Sequence, residues 1–116
     1  VSVEKTCPDA PVWDEHTLDE LKEIGGTELV HRVVCQSLDD AEHRLDELRQ
    51  SAAASPNLWR ESAHALYGIA IGLGAMRLSH AVADALEGDR FDSALTNEEL
   101  TRHFADLQQV LLGFIA

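Results

Sequence analysis

Apolar positions separated by three and four residues run through most of the chain, and no stretch sustains the alternation of a strand. Trp13, Leu18, Leu21 and Ile24 predict a short amphipathic helix from about Asp14 to Ile24, stopped by Gly25-Gly26. Thr27 then reads as the N-cap of a long helix to about Ala53 or Ala54, with Val30, Val34, Leu38, Ala41, Leu45, Leu48 and Ala52 inward. Ser55-Pro56 suits the opening of another helix, with Pro at the first helical position and Trp59, Ala63, Leu66, Ala70 and Leu73 as its inner stripe. Gly72 and Gly74 are expected to end it. A shorter helix from about Ala75 to Leu86 points Leu78, Val82 and Leu86 inward and closes at Gly88. Thr96-Asn97-Glu98-Glu99 has the form of a capping box for a last helix through Leu100, Phe104, Leu107, Leu111 and Ile115. Short connections between amphipathic helices favour antiparallel neighbours. The expected fold is therefore all-α: an antiparallel up-and-down four-helix bundle with an additional short N-terminal helix. Residues 1–12, with Pro8 and Pro11, read as a linker or tail, and residues 13–116 as the domain.

Composition narrows what such a bundle does. A chain of 116 residues fits one domain, and its 5% aromatic content leaves Leu and Ala to build the core. Nine basic and 21 acidic side chains give a formal charge of −12. That surface repels phosphate backbones and anionic headgroups, so neither nucleic acid nor a membrane surface is an expected partner. Cys7 and Cys35 make no disulfide framework; Cys35, after Val33-Val34, is expected to behave as a small, at least half-buried apolar residue. No apolar run reaches the length of a membrane span and no signal-peptide pattern is present, so the cytoplasm is the expected compartment. A start at Val1 rather than Met suggests a piece of a longer protein.

The pairing of His64 with Gly68 is the feature with chemical promise. Glycine inside a helix costs about 1 kcal/mol relative to alanine, and a glycine one turn from a histidine leaves a bare patch beside the imidazole. His64 lies about 100° around the helix from Ala63, on an edge shared with Arg60, Tyr67, Gly68 and Ile71. By itself a histidine on such an edge is an ordinary solvated residue. Two Glu-x-x-His strings, Glu28 to His31 and Glu61 to His64, have the spacing used by di-iron bundles. Glu28 and His31 flank the apolar stripe rather than lie in it, which argues against that reading. His16, His43, His80 and His103 show no i, i+4 pairing with one another and are expected to be exposed. Ser62 is expected on solvated helix surface, since adjacent turns of one helix do not aim a base onto a hydroxyl. Met76 and Trp59 read as core or helix-junction residues. No glycine-rich phosphate loop followed by Lys and Ser/Thr is present, so ATP binding is not expected.

The string His64-Ala-Leu-Tyr-Gly68, then Leu73-Gly74-Ala75, Leu78 and Ala85-Leu86-Glu87, resembles the histidine-containing phosphotransfer domain. That family carries a His-x-Leu-Lys-Gly helix ending in a Leu-Gly-Ala turn. Ser37-Leu38-Asp39-Asp40-Ala41 of the preceding helix also fits, and the likeness runs from about Leu18 to Glu87. The resemblance implies a phosphorelay intermediate. His64 would accept a phosphoryl group from the phospho-aspartate of a receiver domain and pass it to another receiver. Gly68, Tyr67 and Ile71 would form the docking edge, with no cofactor or metal held by this chain. It further implies a cytoplasmic module that is monomeric in isolation and belongs at the C-terminus of a hybrid sensor kinase, with the leader as its tether. Three positions depart from the family pattern: Tyr67 stands where a lysine is usual, Gly72 replaces an asparagine, and Ile69 replaces a small residue. Tyrosine donates one hydrogen bond and no charge. Arg60, one turn before His64, and Arg44, brought to its level by an antiparallel helix, are the candidates to stabilise the phosphate instead. The missing lysine also leaves room for a non-catalytic module that binds its partner through the same face.

Overall fold

The computed structural model describes residues 12–51, 55–88 and 94–115, which form four helices. Helix α1 spans Glu15–Ser51, α2 Pro56–Leu73, α3 Met76–Glu87 and α4 Ala94–Ile115. Each helix packs against its neighbours in sequence, and α4 closes the ring on α1, which is the up-and-down bundle expected from the periodicity. The predicted short N-terminal helix is present as the first arm of α1. It is set off by Gly26, whose φ of 75° and ψ of −170° break the helical path. Gly26 rather than Thr27 therefore holds the non-helical position before the long arm, and the N-cap expected at Thr27 is corrected. The expected linker up to Pro11, Cys7 within it, and the predicted inward position of Ala52 lie outside the described residues.

The inner stripes meet in one core. Leu18, Val34, Leu48, Trp59, Leu66, Leu78, Val82, Leu107 and Leu111 are all fully buried, and Trp59 is the largest of them. Trp59 Nε1 donates to Asn97 Oδ1 of α4 at 3.5 Å, tying α2 to α4 through a side chain. That contact bears on the capping box. Helix α4 already begins at Ala94, so Thr96 is a buried residue of its first turn and not the N-cap. Ile24 was expected inward but is 78% exposed, because the break at Gly26 leaves the last turn of the first arm outside the core.

Both ends of α2 are fixed by capping residues. Ser55 is extended, with φ of −153°, and its hydroxyl accepts from the Leu58 N–H at 3.2 Å. At the other end Gly74 adopts φ of 74° and ψ of 25°, donating back to the Ile71 carbonyl at 3.1 Å. Gly72, also expected as a terminator, remains inside the helix. The Gly74 carbonyl accepts from the Asp14 N–H at 2.7 Å, so the entry into α1 is docked on this turn. A Cβ on Gly74 would stand 2.8 Å from Thr17 Cβ and 2.9 Å from the Asp14 carbonyl oxygen. Gly74→Ala is therefore expected to lower stability by about 2 kcal/mol, from left-handed backbone strain and this clash. A denaturant titration checks this: an unchanged midpoint would contradict it.

Two further expectations are corrected. Ser62 is buried, because its position on α2 faces the α1 side of the bundle. His80 and His103 are half-buried, each with a buried Nδ1 that lacks a hydrogen-bond partner. Burial, the largest influence, lowers the pKa of His103. His16 and His43 are exposed as expected, and Cys35 is half-buried with a free thiol.

Candidate functional site

Helix α2 divides cleanly into two faces. Trp59, Ala63, Leu66, Ala70 and Leu73 turn into the core, which forces the residues on the opposite side to solvent. His64, Tyr67, Gly68, Ile71 and Gly72 are all exposed there. The spacing is that of one helical face: from His64, Tyr67 and Gly68 lie one turn on and Ile71 and Gly72 two turns on. Ile71 is 53% exposed and Tyr67 36%, so an apolar edge without charge continues from the imidazole toward the C-terminus of α2.

A Cβ built on Gly68 or on Gly72 would meet nothing within 4 Å. Packing within the chain thus gives no reason for either glycine. Their effect is external: they lower the surface beside His64 by the height of a side chain. The helix ends on which His64 depends are the rigid ones just described, with Ser55 fixing one terminus and Gly74 the other. His64 is consequently an exposed imidazole on a well-anchored helix with a cleared strip beyond it.

The cations expected near it are occupied in different ways. Arg60 is half-buried, and its guanidinium donates to Asn57 Oδ1 at 3.0 Å, back toward the start of α2. Arg44 of α1 lines a groove with Asp40, His43, Ala65 and Ile69, and a second with Glu61 and Ser62. That places it at the level of the turn carrying His64, as antiparallel packing predicts. Its guanidinium is paired with Glu47 Oε1 at 3.1 Å. The other Glu47 oxygen, Oε2, is 3.2 Å from His43 Nε2, and the buried Ser62 hydroxyl donates to Glu47 Oε1 at 3.5 Å. Glu47 is a residue that sequence reasoning missed. Its i, i+3 and i, i+4 spacing to Arg44 and His43 was visible, but not that Ser62 would reach it from α2.

The di-iron spacing does not assemble. Glu28, His31, Glu61 and His64 are all exposed and none of them faces the bundle interior. Among the described residues, no group of three or more His, Cys, Asp or Glu side chains is placed to hold a metal ion. Among the same residues no helix is long and apolar enough to cross a membrane.

Comparison with known proteins places this arrangement. The structure superposes on the crystal structure of histidine-containing phosphotransfer protein B from Pseudomonas aeruginosa PAO1 with a TM-score of 0.82, covering 91% of this chain and 96% of that one at 22% identity. In sequence the chain is 39% identical over 72 residues to the sensory/regulatory protein RpfC of two strains of Xanthomonas campestris pv. campestris. That match covers 59% of this chain, which spans only a tenth of the relative's length (10%). No family model matches the chain. The resemblance first carried by the residues from His64 to Glu87 thus extends to the whole bundle: the chain has the fold of a histidine-containing phosphotransfer protein.

Proposed function

We propose that this chain is a phosphoryl carrier in two-component signalling, with His64 receiving the group from the phospho-aspartate of one receiver domain and delivering it to the aspartate of another. The observation that carries this reading is the exposed imidazole followed one turn later by Gly68, where an added side chain would meet only open space. Fold likeness to a phosphotransfer protein and partial sequence likeness to a sensory/regulatory protein support it. The short match within a far longer relative supports residues 13–116 acting as one module of a larger sensor protein, a hybrid kinase in the fullest form of the reading.

The chemistry asks little of the carrier beyond position. A neutral imidazole nitrogen attacks phosphorus in line with the acyl oxygen of the aspartyl phosphate, and its lone pair forms the new N–P bond. The O–P bond breaks, and its electrons leave on the aspartate carboxylate. The second ring nitrogen retains its proton or releases it to water. Delivery reverses these steps on the next receiver. Phosphoryl transfer is governed by alignment and charge neutralisation, and the receiver's aspartate site supplies most of both, including its divalent cation. This chain supplies a fixed nucleophile and the uncharged edge of Tyr67, Gly68 and Ile71 on which the receiver seats. Arg60 and Arg44 remain its own candidates for contacting the phosphoryl oxygens.

The relay is tested by mixing the domain with one receiver carrying labelled phosphoryl and a second, unlabelled one. Label should pass through an acid-labile form on the domain and appear on the second receiver. Direct appearance only in inorganic phosphate would sink the relay. Docking has its own prediction: Gly68→Gln is expected to slow transfer about tenfold or more by raising the surface beside His64, with far-UV helicity unchanged. Unaltered transfer would remove Gly68 from the docking edge.

Tyr67 in the position usual for lysine favours a second reading, in which the same face binds a receiver without chemistry. Saturable receiver binding with no label on the domain would select it.

A further inference from the structure

Arg44 of α1 lines grooves with Glu61, Ser62 and Ala65, at the level of the turn of α2 that carries His64, yet it is engaged where it stands. Glu47 holds it at 3.1 Å with one carboxylate oxygen and holds His43 at 3.2 Å with the other. The Ser62 hydroxyl, on α2 two residues before His64, donates to the same carboxylate at 3.5 Å. Ser62 is buried on the face of α2 that packs against α1, so its hydroxyl meets this carboxylate from α2, at the long end of hydrogen-bonding distance. A half-exposed carboxylate thus engages Arg44 and His43 on α1 and makes a long contact to α2. Tyr67 brings no charge to the turn that carries His64, and Arg60 donates to Asn57.

We infer that Glu47 is a positioning residue that withholds Arg44 from the phosphoryl group of phosphorylated His64, and so sets how the phosphoryl group divides between the receiver and this chain. The inference rests on the phosphocarrier reading above. Its physical basis is competition for one guanidinium. A phosphoryl group on His64 carries more negative charge than a carboxylate and offers three acceptor oxygens to a planar fork of donors. Arg44 sits in grooves shared with Ala65, the residue after His64, and with Ser62 before it. An interaction made only in the phosphorylated state shifts the transfer equilibrium toward that state by its own free energy, less what is given up at Glu47. The Arg44 and Glu47 side chains are 45% and 42% exposed, so the pair is weak enough to exchange partners.

The test is the equilibrium distribution of labelled phosphoryl between a receiver and the domain, for the parent chain, Glu47→Gln, Arg44→Gln and the double variant. Glu47→Gln keeps the helix and the amide-sized side chain but removes the competing charge. The expected result is a shift toward the domain of roughly two- to fivefold, the scale of an exposed charge pair. Arg44→Gln should shift the distribution the other way, and Glu47→Gln should add little in its background. A purely structural role would move unfolding midpoints, not opposite shifts in one equilibrium that depend on each other. An unchanged distribution in Glu47→Gln, or the same shift with and without Arg44, overturns the inference while leaving His64 as the acceptor. Absence of label on the parent chain overturns both.

Discussion

Replacing His64 by glutamine is expected to reduce phosphoryl transfer from a charged receiver to background, a loss of several orders of magnitude. Glutamine matches the imidazole in reach and polarity, but its amide nitrogen has no free lone pair with which to attack phosphorus. The side chain is exposed, so the change should leave the unfolding midpoint within about 0.5 kcal/mol of the parent. That separation is what makes the experiment informative, because loss of transfer cannot then be attributed to loss of the fold. The variant retains His16, His31, His43, His80 and His103. Acid-labile label persisting on it would move the acceptor to one of these and refute the site.

The largest effect on stability is expected at Trp59. It is fully buried on the inner stripe of α2, and its indole N–H reaches Asn97 on α4. Trp59→Ala removes the largest buried side chain and leaves Asn97 without that donor, for an expected loss of about 3–5 kcal/mol. A domain of this size has a total stability of only about 5–15 kcal/mol, so the variant should unfold at markedly lower denaturant and resist proteolysis poorly. Phosphoryl transfer should fall with the folded fraction and not beyond it. A midpoint within 1 kcal/mol of the parent would show that the core does not depend on this residue.

How much of this was legible beforehand follows from what periodicity encodes. The stripes Val30 to Leu48, Trp59 to Leu73 and Leu100 to Leu111 are each determined by their own helix, and all lie in the core. The exposure of His64 agrees with its place about 100° from Ala63 on the edge away from α1, whereas Ser62, the same angle off on the other side, is buried. Gly74 was readable as a helix terminator because left-handed caps favour glycine. What could not be read depended on neighbours in space. Thr96 reads as a cap from its own string, but α4 starts two residues before it and Thr96 is buried within the helix. His80 and His103 looked exposed until α3 and α4 closed over one nitrogen of each. Ile24 looked buried until the Gly26 break turned its turn away from the core. The Glu47 contacts belong to this second kind: two of its partners lie on α1, but the third, the Ser62 hydroxyl, comes from the buried side of α2.

The charge problem at the site also becomes more specific. A phosphoryl carrier with Tyr67 beside its nucleophile either leaves neutralisation to its receiver or uses an arginine of its own. Of the two named from the sequence, Arg60 donates to Asn57 and Arg44 is held by Glu47. The overall charge of −12 makes this matter more, because the surrounding field opposes an added phosphoryl group.

If His64 is the acceptor, the phosphoryl group can be located on its imidazole. The parent chain should be charged by a phosphorylated receiver, kept at alkaline pH and fragmented for mass spectrometry, with phosphorus NMR of the intact domain in parallel. A phosphoryl–nitrogen signal and a single modified peptide whose fragments place the group on His64 are the expected result. A phosphoryl group on any other residue, or a domain that binds the charged receiver and never becomes phosphorylated, would contradict it.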